Sequence, residues 1–177
     1  MSIQVAVPVS EEFWDMARVE HRSQQELEFA NAGDHIRNNV LLNYEQLGTL
    51  WMTRVNSSIY HNLVLRDTDA KTVVGLVCYQ YYMGNAYIRS FYLLPGYENR
   101  HLGQLLLNAM LKEVKKSRKA ATVRLEVFET NAMARRFYER NGFRYREFDF
   151  PAQLGGSARN SFDQYGMPIL HMVLPLN

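Results

Sequence analysis

Two spacings of apolar residues run along this chain, and the places where one gives way to the other predict its secondary structure. Ile3–Val7 has the composition of a short strand. A helix is predicted next, with Ser10 as its cap. Its apolar side consists of three residues at helical spacing, namely Phe13, Met16 and Ala17. A polar, asparagine-rich stretch occupies 31–39, and Asn43 is predicted to cap a second helix.

From residue 60 onward the apolar positions are richer in Val and Tyr, which favours strands. Four strands are predicted there, at Leu63–Arg66, Val73–Tyr82, Ala86–Leu94 and Thr122–Phe128. Helical spacing returns over 101–117 and 131–140, and strand-like segments at Phe143–Phe150 and Met167–Leu174 close the chain. A run of three strands between helices predicts an α+β fold, or mixed α/β, rather than a doubly wound sheet.

Length, charge and cysteine content narrow the class of protein. The 177 residues suit one domain spanning 1–177. The net charge of +2 requires neither nucleic acid nor a membrane as a partner, and a homodimer stays open. The single cysteine, Cys78, lies in an apolar run, so we expect a buried structural thiol. Neither a signal peptide nor an apolar run of about 20 residues is seen, so a cytoplasmic protein is expected.

The segment from Leu125 to Phe143 is the most informative part of the sequence. A strand ends, and Asn131 begins a helix. A small residue and two aromatic residues follow three, six and seven positions later, namely Ala134, Phe137 and Tyr138. We expect Phe137 to face the core and Tyr138 to face a cleft at the end of the strand. Gly142 then provides a left-handed exit from the helix.

This segment resembles the end of the acetyl-CoA domain in the GNAT superfamily of N-acetyltransferases, where strand, Asn, Ala, Phe-Tyr and Gly-Phe fall at these spacings. The resemblance covers residues 60–149 well. It implies a GNAT-like fold, in which four helices flank a mostly antiparallel sheet of seven strands. It further implies acetyl-CoA as cosubstrate, with no metal. The stretch Leu125-Glu126-Val127 is also similar to that of the ribosomal-protein alanine (N-terminal) acetyltransferases.

A second motif begins after the strand that ends near Pro95. In GNAT proteins this position holds the pyrophosphate loop, where helix N-terminal amides receive an anion. This sequence departs from the family pattern, because Glu98 replaces a Gln or Arg and His101 replaces the first Gly; Gly103 matches. The candidate phosphate-binding amides are those of Asn99, Arg100, His101, Leu102, Gly103 and Gln104. The alternative is a plain helix N-terminus after a Pro-Gly turn.

The resemblance implies further contacts to the cofactor. The backbone near Phe91, Tyr92 and Leu93 would hydrogen-bond acetyl-CoA, and Asn131 would bind the pantetheine arm while capping its helix. Arg135 is a candidate for the phosphates. Between Glu98 and Arg146 the chain carries twelve Lys and Arg against five Glu, an excess that could attract a polyphosphate. Solvated helix faces account for most of these lysines.

Two residues are candidates for catalysis. By resemblance, Tyr138 matches the position of the general acid in many GNAT enzymes, and a phenol with a pKa near ~10 could protonate a thiolate. Alternatively, Tyr138 only packs on pantetheine or hydrogen-bonds its sulfur. By resemblance, Glu126 matches the general base of the ribosomal-protein alanine acetyltransferases. A carboxylate in an apolar strand is also costly unless it is paired or faces a wet cleft, which makes Glu126 a functional candidate. Alternatively Glu126 is a salt-bridged strand residue, with Arg124 or Arg89 as partner. Glu129 is the reserve base.

The sequence leaves the acceptor open among a protein or peptide α-amine, a small-molecule amine and a lysine side chain. Six aromatic residues could line its side of the site, although each alone is better explained by the core: Tyr44, Trp51, Tyr60, Phe150, Phe162 and Tyr165. The last strand pair resembles that of protein α-amine acetyltransferases, with a loop at Gly155-Gly156 between them. Two other functions stay open, a non-catalytic acyl-CoA-binding sensor or regulatory module and an unrelated interaction domain.

Overall fold

The structure is a computed structural model that describes residues 2–30, 32–155 and 165–176. Gly156 and Phe162 lie outside these residues. Contacts within the chain divide it into two compact units. The first unit comprises Met1–Tyr79 and Arg89–Glu113, and the second comprises Gln80–Ile88 and Val114–Asn177. The single domain expected over 1–177 stays a prediction.

Seven strands form one sheet with the order β1-β2-β3-β4-β5-β7-β6. Their bounds are Ile3–Ala6 (β1), His61–Asp67 (β2), Thr72–Tyr82 (β3), Asn85–Leu93 (β4), Thr122–Phe128 (β5), Arg144–Tyr145 (β6) and Ile169–Pro175 (β7). The pairs β1-β2, β2-β3, β5-β7 and β6-β7 are antiparallel, whereas β4 and β5 run parallel.

Within the described residues, five α-helices accompany the sheet: Phe13–Ser23 (α1), Asp34–Asn39 (α2), Tyr44–Val55 (α3), Leu102–Ser117 (α4) and Ala132–Arg140 (α5). Four of them have more than seven residues, so the mixed α/β class and the predicted sheet and helices are confirmed. None of the helices in the described part of the chain is long and apolar enough to cross a membrane.

In the first unit α1 and α3 bury a shared apolar side that includes Met16, Ala17 and Leu47. The predicted cap of α3 is confirmed, because Asn43 Oδ1 accepts a hydrogen bond from the Gln46 backbone N–H at 2.9 Å. The Gln46 side-chain oxygen in turn accepts the Asn43 N–H at 2.9 Å, which completes a capping box. These local signals explain why α3 could be predicted from sequence.

The predicted start of the first helix was wrong in detail. A short 3₁₀ turn at Ser10–Glu12 precedes α1, so Ser10 lies inside the turn and Val9 is its N-cap residue. The carboxylate of Glu12 accepts the Val9 N–H at 2.8 Å. Glu12 also pairs with Arg66 at 2.5 Å, and this second partner holds the carboxylate beside the Val9 N–H. The asparagine-rich stretch at 31–39 also contains the short helix α2.

The strand predicted at Phe143–Phe150 is much shorter in the second unit, where only Arg144–Tyr145 pairs with β7 as regular strand. Beyond it, the Phe148 N–H donates to the side-chain Nδ1 of His171 at 3.3 Å instead of continuing the strand. The Phe148 ring packs edge-on against Tyr87, with centroids 6.0 Å apart. The apolar alternation that resembles a strand therefore reflects aromatic packing.

Cys78 in β3 is fully buried, as predicted, and burial raises the pKa of its thiol to about 12. Because only the thiolate is a good nucleophile, we expect an aromatic disulfide reagent at pH 8 to leave the folded protein unlabelled. The same reagent should label one thiol per chain in denaturant. Fast labelling of the folded protein would show that this part of the sheet opens readily.

Candidate active site

The predicted site residues divide between the two units. The first unit holds the end of β4 and the loop that leads into α4. The second unit holds Glu126 on β5 and Asn131, Arg135 and Tyr138 at the start of and along α5. Each group has its own local geometry.

The loop before α4 has an unusual backbone. Asn99 and His101 adopt positive φ values of 57° and 58°, the left-handed region that favours glycine. Asn and His tolerate this region better than most residues. His101 therefore adopts a backbone conformation typical of glycine, so its departure from the family pattern does not by itself exclude a tight loop here.

The first turn of α4 begins at Leu102, and the Leu105 N–H donates to His101 O at 3.0 Å. The first N–H groups of any α-helix lack partners within the helix and carry the positive end of its dipole. Neighbouring side chains are engaged elsewhere: Arg100 lies over the Tyr97 ring at 5.3 Å, and Gln104 Nε2 donates to Asn108 at 2.9 Å. The backbone amides of this turn are therefore groups that an anion could contact.

Glu98 lies in the same loop, and its two carboxylate oxygens have different surroundings. Its Oε2 accepts the Gly96 N–H at 2.8 Å. Its Oε1 is buried and has no hydrogen-bond partner among the residues that the structure describes. An unpaired carboxylate oxygen is costly to bury. This loop consequently combines amides suited to an anion with one negative side chain that opposes it.

The end of β4, which carries Phe91, Tyr92 and Leu93, approaches β3 closely. A Cβ on Gly75 would lie 2.7 Å from Leu93 Cδ2 and 3.3 Å from the Tyr92 carbonyl oxygen. Leu94 N–H donates to Val74 O at 2.8 Å. Glycine at position 75 thereby allows the last residues of β4 to pack against their neighbouring strand.

A polar cluster beside Tyr92 was missed from sequence. Glu20 on α1 is buried and accepts hydrogen bonds from Trp51 Nε1 at 2.8 Å and Gln24 Nε2 at 3.3 Å. The Gln24 amide also donates to the Tyr92 hydroxyl at 3.2 Å, and that hydroxyl lies 3.5 Å from Glu28 Oε2. The spacing of four residues between positions 20, 24 and 28 was the available signal.

Burial controls the ionisation of this cluster. It raises the pKa of Glu20, and the nearby charge of Arg54 and the Trp51 hydrogen bond offset part of that rise. Burial also raises the pKa of Tyr92 well above its ordinary value, and the carboxylates of Glu28 and Glu20 raise it further. The Tyr92 phenol therefore stays protonated at neutral pH.

In the second unit Glu126 lies opposite His171 in the antiparallel ladder of β5 and β7. His171 Nε2 is 3.2 Å from Glu126 Oε1, and their side chains are 3% and 13% exposed. Arg124, one of the partners considered from sequence, instead places its guanidinium over Tyr87 and Phe148, at 5.7 and 5.2 Å. Paired with a buried histidine, Glu126 is a carboxylate in the apolar strand with a defined orientation.

Asn131 caps α5 as predicted, because its Oδ1 accepts the Ala134 N–H at 3.0 Å. This bond uses the side-chain oxygen, and the amide nitrogen of the same side chain is a donor that could contact a ligand. The reserve base Glu129 is exposed beyond the end of β5, and its N–H donates to Pro168 O at 2.8 Å.

Tyr138, rather than Phe137, is the buried residue of α5, with 7% of its surface exposed. Its ring packs edge-on against Phe137 and Phe143, with centroids 5.3 and 5.4 Å away. On the same helix Arg135 has a buried Nε with no hydrogen-bond partner within the described part of the chain. An unsatisfied guanidinium nitrogen is a suitable contact for an anion.

The profile of the acetyltransferase (GNAT) family matches residues 11–143. This chain belongs to the GNAT acetyltransferase family. The family that the sequence resembles is thereby confirmed, and with it the acyltransferase class, because the reaction of this family is acetyl-CoA-dependent acyl transfer. No match is found among curated protein sequences.

Solved GNAT structures share the fold over nearly the whole chain. PaiA N-acetyltransferase from Thermoplasma acidophilum, in complex with coenzyme A, has a TM-score of 0.74 at 20% identity, covering 99% of this chain and 100% of that one. The ribosomal-protein-S18-alanine N-acetyltransferase from Escherichia coli has a TM-score of 0.68 at 18% identity, covering 99% and 95%. At these identities the likeness establishes the GNAT fold.

The aromatic residues expected on the acceptor side differ in exposure. Trp51 is fully buried in the first unit, in agreement with the core alternative. Tyr44 is 39% exposed and packs against Trp14, and Tyr165 in the second unit is 37% exposed. Of these, the exposed tyrosines remain candidates for acceptor contact.

Proposed function

We propose that this GNAT protein transfers an acetyl group from acetyl-CoA to a primary amine, either a small molecule or a protein N-terminus, by direct attack. The observation that carries the proposal is Glu126, an oriented carboxylate in β5, five residues before the Asn131 that caps α5. A carboxylate so placed suits the removal of a proton from an amine.

The residues present fit the coenzyme. The buried, unsatisfied Arg135 Nε and the N-terminal amides of α4 suit phosphates, and Asn131 keeps a side-chain amide for the pantetheine arm. Phe91, Tyr92 and Leu93 would supply the backbone contacts that the family resemblance implies. Acetyl-CoA, when bound, supplies the acetyl group and a thiolate leaving group.

Two side chains would move protons. Glu126 accepts a proton from the ammonium form of the acceptor, and the free amine then attacks the thioester carbon. Tyr138 donates its hydroxyl proton to sulfur as the carbon–sulfur bond breaks. The nitrogen loses a second proton as the amide forms, and this proton restores the Tyr138 hydroxyl through solvent. The proton on Glu126 leaves to solvent, which accounts for the one proton that the overall reaction releases. Developing charge on the carbonyl oxygen needs a hydrogen-bond donor, and the Leu93 N–H is the candidate that the resemblance implies.

A non-catalytic acyl-CoA sensor is the second candidate, and Glu98 is the observation that favours it. Its buried, unpaired oxygen lies in the loop that would receive the phosphates. A weakened phosphate site would be tolerable in a protein that only reports on acyl-CoA concentration. Both candidates therefore predict binding, and only the first predicts turnover.

Calorimetry with acetyl-CoA, followed by assay of free CoA thiol, separates these candidates. The panel of acceptors should contain small primary amines, peptides with a free N-terminus, and N-terminally blocked peptides with one lysine. We expect binding at tens of micromolar or tighter, and thiol release with a small amine or a free N-terminus. Binding without thiol release for any amine would favour the sensor, and absence of binding would exclude both functions.

Glu98→Gln should tighten CoA binding by about 3- to 10-fold, which corresponds to about 0.7–1.4 kcal/mol. The substitution removes a negative charge near the proposed phosphate site but keeps an oxygen for the Gly96 N–H. Calorimetric titration with CoA at two salt concentrations measures the change in affinity. The difference in affinity between Glu98→Gln and the unmodified protein should be smaller at high salt, because salt screens the charge. Glu11→Gln, an exposed position in the same unit, controls for the change in net charge. Equal affinity of Glu98→Gln and the unmodified protein would remove Glu98 as a determinant.

A further inference from the structure

We propose that His171 is a positioning residue that holds the carboxylate of Glu126 through an Nε2–H hydrogen bond. This inference rests on the proposed function, in which Glu126 is the general base. Its basis is the geometry of one buried side-chain pair in the second unit, 45 residues apart in sequence.

The pair is built into the sheet. Glu126 and His171 are directly opposed in the register of β5 and β7, and their side chains meet at 3.2 Å. The His171 side chain is 3% exposed, so water does not compete freely for its Nε2. A hydrogen bond between such groups is worth more than one at the surface, because a buried group that loses its partner is left unsatisfied.

The other contacts of the ring indicate which nitrogen carries the proton. The Phe148 N–H donates to Nδ1 at 3.3 Å, so Nδ1 acts as an acceptor and the proton belongs on Nε2. The Phe148 ring stacks on the imidazole, with centroids 4.2 Å apart and 19° between the planes. Glu147 is a second carboxylate near the ring: its Oε2 is 3.4 Å from Nδ1, and its side chain is 71% exposed.

This arrangement gives His171 a role that charge pairing alone would not. Phe148 fixes the orientation of the imidazole in two ways, because its ring stacks on the imidazole and its N–H donates to Nδ1. The Nε2–H therefore points at Oε1 of Glu126 and holds that oxygen in place. The carboxylate group of Glu126 is then held in one orientation. Loss of such orientation lowers turnover rather than cofactor binding.

Two substitutions test the two nitrogens separately. Glutamine can place an N–H donor where Nε2 lies, whereas asparagine offers an oxygen to the Phe148 N–H but does not reach Glu126. We expect His171→Asn to lower kcat by about 10- to 100-fold with an unchanged KM for acetyl-CoA, and His171→Gln to stay within about threefold. Glu147→Gln, which removes the exposed carboxylate near Nδ1, should leave kcat unchanged.

A double-mutant cycle links the effect to Glu126. In a Glu126→Gln background, His171→Asn should lower kcat by less than about twofold, because the side chain at position 126 no longer accepts a proton. Nitrogen-15 NMR of the imidazole in the unmodified protein should show the Nε2–H tautomer, a readout independent of turnover and of whether the Asn variant folds. Thermal unfolding of each variant separates a loss of orientation from a loss of structure.

Three results would each overturn the positioning role. These are an equal decrease of kcat in His171→Asn and His171→Gln, an undiminished effect of His171→Asn on kcat in the Glu126→Gln background, and the Nδ1–H tautomer in the unmodified protein. These outcomes leave the proposed function standing, provided that the unmodified protein still releases CoA. An unmodified protein that binds acetyl-CoA but acetylates no amine would overturn the proposed function and, with it, the catalytic role of the pair.

Discussion

Glu126→Gln should lower kcat/KM for acetyl transfer by about 10²- to 10⁴-fold at neutral pH, the contribution typical of a positioned general base. The amide keeps an oxygen for His171 and is close in size to the carboxylate, so the strand should fold as before. What it loses is the capacity to take a proton from an ammonium group. Steady-state kinetics between pH 6 and 10, with thermal unfolding as the folding check, measures the effect.

The pH dependence adds a second criterion. An α-amine titrates near ~8 and an alkylamine near ~10.4, and above that pH the acceptor already exists as the free base. The gap between Glu126→Gln and the unmodified protein should therefore narrow as pH rises through the pKa of the acceptor. Glu129→Gln, at the exposed reserve position, should have little effect. A small, pH-independent decrease of kcat/KM for Glu126→Gln would give Glu126 a structural role. A large decrease for Glu129→Gln would make Glu129 the general base instead.

Tyr138→Phe should lower kcat by about 10²-fold while the affinity for acetyl-CoA changes by less than about twofold. The ring of Tyr138 is buried against Phe137 and Phe143, and phenylalanine preserves that packing. Only the hydroxyl that would protonate the departing sulfur is removed. Kinetics and calorimetry on the same preparation separate the two quantities.

A matched control for the lost phenol is Tyr81→Phe in the same unit, whose hydroxyl lies 2.9 Å from Ser117 Oγ. That variant should retain full turnover. If Tyr138→Phe also retains it, the tyrosine serves packing alone and another donor must protonate the sulfur. If instead cofactor affinity falls with kcat, the hydroxyl acts in binding.

Local signals in the sequence were enough for most of the fold. The capping box at Asn43 and the cap at Asn131 each involve residues within a few positions, so they can be read from neighbouring letters. The strand predicted at Phe143–Phe150 failed because the Phe148 N–H uses a side chain 23 residues away. No local pattern of apolar residues could distinguish that contact from a strand.

Part of the candidate site could be predicted from the sequence, and part could not. The residues of α5 and the strand before it follow a family spacing and could be named in advance. His171 could not, because its importance depends on strand register between β5 and β7. The cluster of Glu20, Gln24 and Tyr92 likewise joins a helix to a strand 68 residues further along the chain. Pairings between distant elements need the fold before they can be seen.

Isotope-labelled acetyl-CoA provides the most direct test of the central claim, which is acetyl transfer to a primary amine with Glu126 and Tyr138 as its proton-transfer groups. The protein and its Glu126→Gln/Tyr138→Phe double variant would be incubated with the amine panel, and labelled products would be measured by mass spectrometry. We predict a labelled amide with the unmodified protein and almost none with the double variant, although both bind acetyl-CoA. Equal labelling by the two proteins, or none by either, would contradict the account.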